Sequence, residues 1–478
     1  MSDRMDLELP LRNPDTDSPA LMSKRARWLV LLGFVLPGSA QVLAGNRTLG
    51  RFGIAATIAL LGVGVLGLLG FLFARDTTLS VVTNPLVMFM AQWVLFGYAV
   101  LWLILGFDTL RLTKLVRIGR GWRVPIAALS VILTIVPVAG AAWAATTVGA
   151  ARGAIGDIFV NSQPTVDPVD GRYNILLLGV DRGEDREGLR PDSISLVSVD
   201  AESGRSAIIG LPRELTEMPF PETSPLYAVY PDGYCTANNN YVPTGDGQYC
   251  FTTGYLNSLV TELHDSGSPS YEGLYPDAAS RGSSAGIEAM KDAVSGATGL
   301  TVQFFVLIDM QGFASMIDAL GGVTIDVKEP IPVGGREDEL TGEWVDIAWY
   351  IEPGLQTLAG ENAQWYARSR HGFAGGDYDR MERQRELQAA ILAQMDPANV
   401  LLRFQEVAAA GTDLVQTDIP SSMLGYFVGL AAKAREFTPV SFDLTPPEVN
   451  PEYPDYVQIH QLVASTIVAA SPPVEGEG

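Results

Sequence analysis

Between Tyr366 and Gln384 the chain reads YARSRHGFAGGDYDRMERQ, which gathers Arg368, Arg370, Arg380 and Arg383 with one carboxylate, Asp377, and one amide, Gln384. Guanidinium groups stay charged at any physiological pH and present a planar fork of donors that fits phosphate oxygens two at a time. Brought together they repel one another unless something anionic lies between them, so the cluster reads as a site for a ligand with at least two negative charges. Asp377, Arg380 and Gln384 stand three and four residues apart, the spacing of one helical face. Arg368 and Arg370 stand two apart, the spacing that aims both to one side of a strand or extended segment. The plainer reading of the same residues is a solvated run that pairs locally with Asp379, Glu382 and Glu386.

Four more polar residues fall at the ends of apolar runs, where open α/β sheets place their ligands. Asp181 closes YNILLLGVD, Arg190 and Asp192 open the next run in RPDS, and Arg213 follows the third in LPRE. Two carboxylates and two arginines at such junctions suit a divalent cation bridging a diphosphate, because Mg²⁺ takes one or two carboxylates plus substrate oxygens. Turn and cap duties are the competing explanation for the two aspartates.

The elements that must carry these residues alternate. After YNILLLGVD come SISLVSVD, SAIIGLP, TVQFFVLID and VTIDV as strand-like runs, and GIEAMKDAVSGATG, MQGFASMIDALGG and RMERQRELQAAILAQM as helical ones. Strands alternating with helices predict an α/β fold, an α-β-α sandwich on a central mixed sheet, over residues 172–395. Gly321-Gly322 marks a helix C-cap. Residues 396–478, with helical stretches near 421–437 and 458–470, read as a decoration on that core ending in a disordered tail, SPPVEGEG.

Charge divides the chain in two. Residues 1–149 carry a net +6 and residues 150–478 a net −28, together the −22 of the whole. An acidic second part with one local basic pocket argues against a nucleic-acid partner, which needs a basic face. The first part is a membrane domain, 24–149, behind an acidic leader, 1–23, that does not have the pattern of a cleavable signal. Stretches 52–73, 85–107 and 124–148, at 22 to 25 residues, are each long enough to cross roughly 30 Å of hydrocarbon. The stretch 28–44 is broken by Pro37 and Gly38 and reads as a short span, a re-entrant turn or an interfacial helix. Arg111, Lys114, Arg117, Arg120 and Arg123, opposed only by Asp108, put the loop between the second and third spans in the cytoplasm. The third span then leads outward, through a tether at 150–171, to an extracytoplasmic domain. In that oxidising compartment Cys235 and Cys250, with 14 residues between them, are expected to form a disulfide worth about 3 kcal/mol.

NILLLGVD, RPDSISLV, GLPRE, GIEAMKDAVSGATG, FVLIDMQGFASMIDALGGVTIDV, GLQTLAGENAQWYARSR and DYDRMERQRELQAAIL, in this order, resemble the LytR-CpsA-Psr family of cell-envelope phosphotransferases. The resemblance implies an enzyme that takes an anionic glycopolymer from a polyprenyl-pyrophosphate carrier and joins it by a phosphodiester to peptidoglycan. It also implies Asp181 and Asp192 as carboxylates associated with Mg²⁺ (or Mn²⁺), and Arg190, Arg213, Arg368 and Arg370 as the pyrophosphate clamp. Asp377, Arg380 and Gln384 match the remaining site positions, with Arg383 beside them. This chain departs from the family pattern in reading Arg190-Pro191-Asp192-Ser193 and Pro212-Arg213-Glu214 where Arg-Ser-Asp-Thr and Pro-Arg-Asp are common. It also has Asn257 in TTGYLNS with no basic neighbour.

Such a reaction needs no covalent nucleophile. Preorganised guanidiniums stabilise the charge that develops on the phosphoryl oxygens, and a carboxylate, Asp377 or Asp192, takes the proton of the attacking hydroxyl. Phe304, Phe305, Phe313, Met316 and Ile317 are available to line an apolar channel for the carrier, although core packing is the ordinary role of such residues. A hydrolase using the same site and a non-catalytic carrier-binding or regulatory protein are the alternatives. His264, His371 and His460 have no zinc spacing, and no Gly-x-Ser-x-Gly elbow is present.

Overall fold

A computed structural model of the chain describes residues 12, 14–159, 165–180, 191–234, 242–244, 247–249, 254–260, 273–338, 341, 344–369, 376–394 and 415–472. It divides into two compact units, one ending at Gly153 and the other beginning at Ala154.

The first unit is helical. Helix α1 (Pro19–Val35), capped by Ser18, stops at Leu36-Pro37-Gly38, and the six-residue α2 (Ser39–Ala44) follows. Three long helices come next, α3 (Arg47–Phe73), α5 (Pro85–Thr113) and α6 (Arg120–Ile158), with the short α4 (Arg75–Val82) between the first two. These three are long and apolar enough to cross a membrane, and the three predicted spans lie inside them. Several polar groups of this unit pair with one another, as an apolar surrounding favours. Gln41 donates to the Leu105 carbonyl at 2.9 Å and to Thr109 Oγ1 at 3.0 Å, while Thr57 Oγ1 and Tyr98 OH lie 3.0 Å apart.

The second unit is built on a six-stranded mixed sheet. Its strands, in chain order, include β1 (Arg172–Val180), β2 (Pro191–Asp200) and β3 (Ser206–Leu211). The short pair β4 (Val242–Thr244) and β5 (Gly247–Tyr249) comes next, followed by β6 (Phe304–Asp309). Then β7 (Val323–Val327) pairs antiparallel with β10 (Gly354–Leu358), and β8 (Ile331–Glu337) forms a hairpin with β9 (Trp344–Ile351). Last come β11 (Val415–Thr417) and β12 (Val440–Asp443). The spatial order of the main sheet is β11-β6-β1-β2-β3-β12, with β1 parallel to β6 and β12 parallel to β3 and the other pairs antiparallel. The segment after residue 396 is therefore not a decoration. It supplies both edge strands, which at three and four residues are too short to show a period in sequence.

Alternation along β1 sorts its side chains between two faces. Leu176, Leu178 and Val180 point into a core shared with Ile287, Met290 and Val294 of helix α7 (Ala285–Thr298). Ile175, Leu177 and Gly179 point the other way, toward α8 (Met310–Leu320) and α10 (Asp377–Gln394), on either side of α9 (Gly360–Arg368) in sequence. The predicted cap after α8 is a Schellman motif, with Gly321 and Gly322 at φ 89° and 92° and the Gly322 amide donating to the Ile317 carbonyl at 2.9 Å. Helices α11 (Leu424–Ala434) and α12 (Tyr456–Ala469) complete the layers.

A buried charge network ties the β11 edge to α7. Lys291 Nζ donates to Asp418 Oδ2 at 2.7 Å and to Glu288 Oε1 at 3.4 Å, and Asp418 Oδ1 accepts the Phe305 amide at 2.8 Å. Burial pushes the Asp418 carboxyl above its ordinary value, with Lys291 opposing. Lys291→Met, which leaves Asp418 buried without its cation, is expected to cost about 3 to 5 kcal/mol in chemical denaturation. Adding Asp418→Asn should return part of that loss.

Candidate active site

Arg380 is the centre of the cluster and one of the most buried large side chains in the protein, at 2% exposure. Burying a guanidinium demands partners, and Arg380 has them in two elements. Its Nη2 donates to Asp377 Oδ2 at 2.9 Å, the i,i+3 pair expected on α10, and to the Asp192 carbonyl of β2 at 3.1 Å. Arg213, two residues past β3, closes the ring. Its Nη1 donates to Asp192 Oδ1 at 2.9 Å and its Nε lies 3.5 Å from Asp377 Oδ2. The Asn257 amide donates to the Arg213 carbonyl at 3.1 Å, so the segment lacking a basic side chain contributes its backbone instead. Residues 21 and 188 positions apart thus meet in one notch, lined by Asp192, Ser195, Gly210, Arg213, Arg380 and Gln384 among others.

Beside the notch lies an apolar cavity of about 300 Å³ between the sheet and helices α8 and α10. Ile175 and Leu177 of β1, Val306 and Ile308 of β6, and Leu387 and Ile391 of α10 line it. Gln384 lines both the cavity and the notch, and Ser193 of the cavity follows Asp192 of the notch in β2. Of the apolar residues considered for a channel, Phe313 and Met316 line this cavity, whereas Phe304, Phe305 and Ile317 are packed in the core.

Helix α10 is held over the cavity by polar contacts on several sides. Arg383, expected among the phosphate-binding arginines, is spent elsewhere: its Nε donates to the Tyr366 carbonyl at 3.1 Å and its Nη2 to the Ser369 carbonyl. Those carbonyls belong to the end of α9, where a cation is favoured by the helix dipole. Burial pulls the Arg383 guanidinium below the usual arginine value. Gln384 Nε2 donates to the Ala367 carbonyl of the same helix end at 3.0 Å, and Tyr366 OH donates to Glu386 at 2.6 Å. Arg385, not singled out in the sequence, pairs with Asp443 of the edge strand β12. Gly210 is required there, because a Cβ would stand 2.1 Å from Asp443 Oδ1. The reading of these charges as local surface pairs therefore fails for Arg380 and Arg383, whose bonds run to other elements.

Arg368 is also placed differently from expectation. It is the last residue of α9 rather than part of an extended segment, it is exposed, and its guanidinium sits 5.3 Å from the Trp365 ring centre. The helical pattern of GENAQWYAR overrides the two-residue spacing of the arginines. Asp181, Arg190, Arg370, Cys235 and Cys250 lie outside the described residues.

Glu214, beside Arg213, is the residue that the sequence reading noted only as a departure. Its Oε2 stands 3.7 Å from Arg213 Nε. Burial raises its carboxyl above the ordinary value, and Asp377 raises it further, while Arg213 and Arg380 oppose. Tyr378 on α10 is raised by burial and then by Glu214, Glu452 and Asp377, so these groups face one another.

In the α/β sandwich a guanidinium notch stands next to an apolar cavity, and three helices long and apolar enough to cross a membrane precede it in sequence. Residues 275–458 match the model of the LytR_cpsA_psr family. The chain is 26% identical over 260 residues to "Cell wall biosynthesis protein LcpA" of Corynebacterium glutamicum, covering 54% of this chain and 43% of that one. It is 28% identical over 120 residues to "Polyisoprenyl-teichoic acid--peptidoglycan teichoic acid transferase TagV" of Bacillus subtilis, covering 25% and 29%. The chain thus spans less than half the length of these relatives. The crystal structure of B. subtilis TagV superimposes with a TM-score of 0.41 at 17% identity, covering 64% of this chain and all of that one.

Arg380→Ala leaves Asp377 half-buried without its nearest cation and is expected to destabilise the second unit by about 3 kcal/mol. Arg213→Ala, whose side chain is 31% exposed, should cost less than half as much. Urea unfolding followed by circular dichroism ranks the two.

Proposed function

We propose that this chain is a membrane-anchored phosphotransferase that moves an anionic glycopolymer from a polyprenyl-pyrophosphate carrier to peptidoglycan, forming a phosphodiester link. The observation that carries the reading is the adjacency of the two halves of the site. An apolar cavity and a guanidinium notch that share Gln384 suit a ligand that is lipid at one end and doubly charged at the other. The similarity to B. subtilis TagV, a polyisoprenyl-teichoic acid--peptidoglycan teichoic acid transferase, supports the same class. The basic loop between the second and third spans supports an outward-facing catalytic unit, where carrier and peptidoglycan are both in reach.

On this reading Arg213 and Arg380 meet the diphosphate, with Arg190, Arg368 and Arg370 completing the clamp. The two carboxylates that hold Arg213 and Arg380 fix them before the ligand arrives, so little reorganisation accompanies the charge that develops on the phosphoryl oxygens. Arg383 and Gln384 act one step back, by fixing the end of α9 that carries Arg368. The family resemblance also implies Mg²⁺ or Mn²⁺. Asp192 offers hard carboxylate oxygens of the kind such ions take, and among the described residues no group of three His, Cys, Asp or Glu could hold a metal. Asp192 and Asp181 would therefore hold it together with the substrate's own oxygens, and its charge would add to that of the arginines.

The test uses the full chain in lipid nanodiscs with a polyprenyl-diphosphate oligosaccharide, peptidoglycan fragments and Mg²⁺, with products identified by mass spectrometry. Linked glycan and polyprenyl phosphate are expected in equal amounts, and Arg213→Ala should lower kcat/KM by about 10²-fold or more. Polyprenyl phosphate with no linked glycan would make the chain a hydrolase instead.

A further inference from the structure

We propose that Glu214 is the proton acceptor for the attacking hydroxyl, in place of the two aspartates that the sequence suggests. The inference rests on the phosphotransferase reading above and assigns a role within that same site.

Three carboxylates stand around Arg213, and they are not equivalent. Asp192 Oδ1 accepts the Arg213 Nη1 donor at 2.9 Å. Asp377 Oδ2 accepts from Arg380 at 2.9 Å and faces Arg213 Nε at 3.5 Å. Protonating either would release a guanidinium from the anion site at the moment its charge is needed, so both are poorly suited to shuttle a proton. Glu214 stands 3.7 Å from Arg213 Nε, outside hydrogen-bond distance, and its side chain is 29% exposed against 18% for Asp192 and 20% for Asp377. It can gain and lose a proton without breaking a hydrogen bond to Arg213, and it is open to an acceptor arriving from solvent. The extra methylene of Glu over the Asp common at this position adds reach beyond the guanidinium. A carboxyl raised by burial and by Asp377 is also a stronger base than an ordinary one, which brings proton transfer closer to balance near neutral pH.

The groups that face Glu214 are Arg213 beside it and Asp377, Tyr378 and Arg380 on α10. In the step itself the acceptor oxygen bonds to the glycan-proximal phosphorus. The bond from that phosphorus to the bridging oxygen breaks, and its electron pair leaves on polyprenyl phosphate. The hydroxyl proton passes to a Glu214 carboxylate oxygen and from there to water.

The experiment is a pH profile of kcat for the full chain in nanodiscs, wild type against Glu214→Gln and Glu214→Asp. A base must be ionised, so wild-type kcat should fall as pH drops through the raised Glu214 value. Glu214→Gln is expected to lower kcat by about 10²- to 10⁴-fold, to flatten that acid limb, and to leave the KM for the lipid diphosphate within about twofold. Glu214→Asp should restore the limb at lower pH with part of the rate. Since the fold disfavours the ionised form, Glu214→Gln should melt no lower than wild type, which separates lost chemistry from lost folding. A Gln variant that keeps kcat or keeps the acid limb overturns the assignment while leaving the phosphotransferase reading intact. If the wild type makes only free polyprenyl phosphate, that reading falls, and the same limb then tests Glu214 as the base for water. A wild type with no turnover of either kind overturns both.

Discussion

Burying a guanidinium is the constraint on which the site depends. Arg380 is almost entirely removed from water, and a charge so placed must be matched by groups fixed in advance. Asp377 meets it from the same helix and the Asp192 carbonyl from the sheet, so α10 cannot shift along β2 without breaking one or the other. Arg213 then locks the loop after β3 to both carboxylates. The three parts of the chain that bear these residues are far apart in sequence, and charge satisfaction brings them together.

A second constraint is that the inner face of the sheet is not filled. Opposite the packed core of Leu176, Leu178 and Val180, the alternate residues Ile175 and Leu177 look into a cavity. Close packing is the rule in protein interiors, and an apolar void of this size is a cost that a ligand can offset. Helix α10 spans the opening with Leu387 and Ile391 toward the cavity, while Arg383, Gln384, Arg385 and Glu386 bind α9 and β12. The helix is thus a polar strap with an apolar underside, and its first turn belongs to the anion site.

Much of this was legible in the chain. The runs YNILLLGVD, SISLVSVD and TVQFFVLID have buried-strand length and are strands, and the 377/380/384 spacing does place its residues together. The membrane helices follow from length and apolarity alone. What was not legible has specific causes. Helical spacing cannot tell Arg380 from Arg383, since both lie near one face and only the position of α9 sends Arg383 to backbone carbonyls. The arginines of YARSR look like an extended pair, but the preceding residues carry α9 through Arg368. The edge strands β11 and β12 are too short to show alternation, and the Arg385–Asp443 pair joins residues with no sequence signal linking them.

The central claim is that one ligand must satisfy the apolar cavity and the guanidinium notch at once. Calorimetric titration of the full chain with a short prenyl diphosphate, the matching prenyl alcohol and inorganic diphosphate tests it most directly. The prenyl diphosphate should bind at least 10²-fold tighter than either fragment, with a negative heat-capacity change from apolar burial that Leu387→Asp abolishes. Inorganic diphosphate binding as tightly as the prenyl compound, or an affinity indifferent to Leu387→Asp, would contradict it.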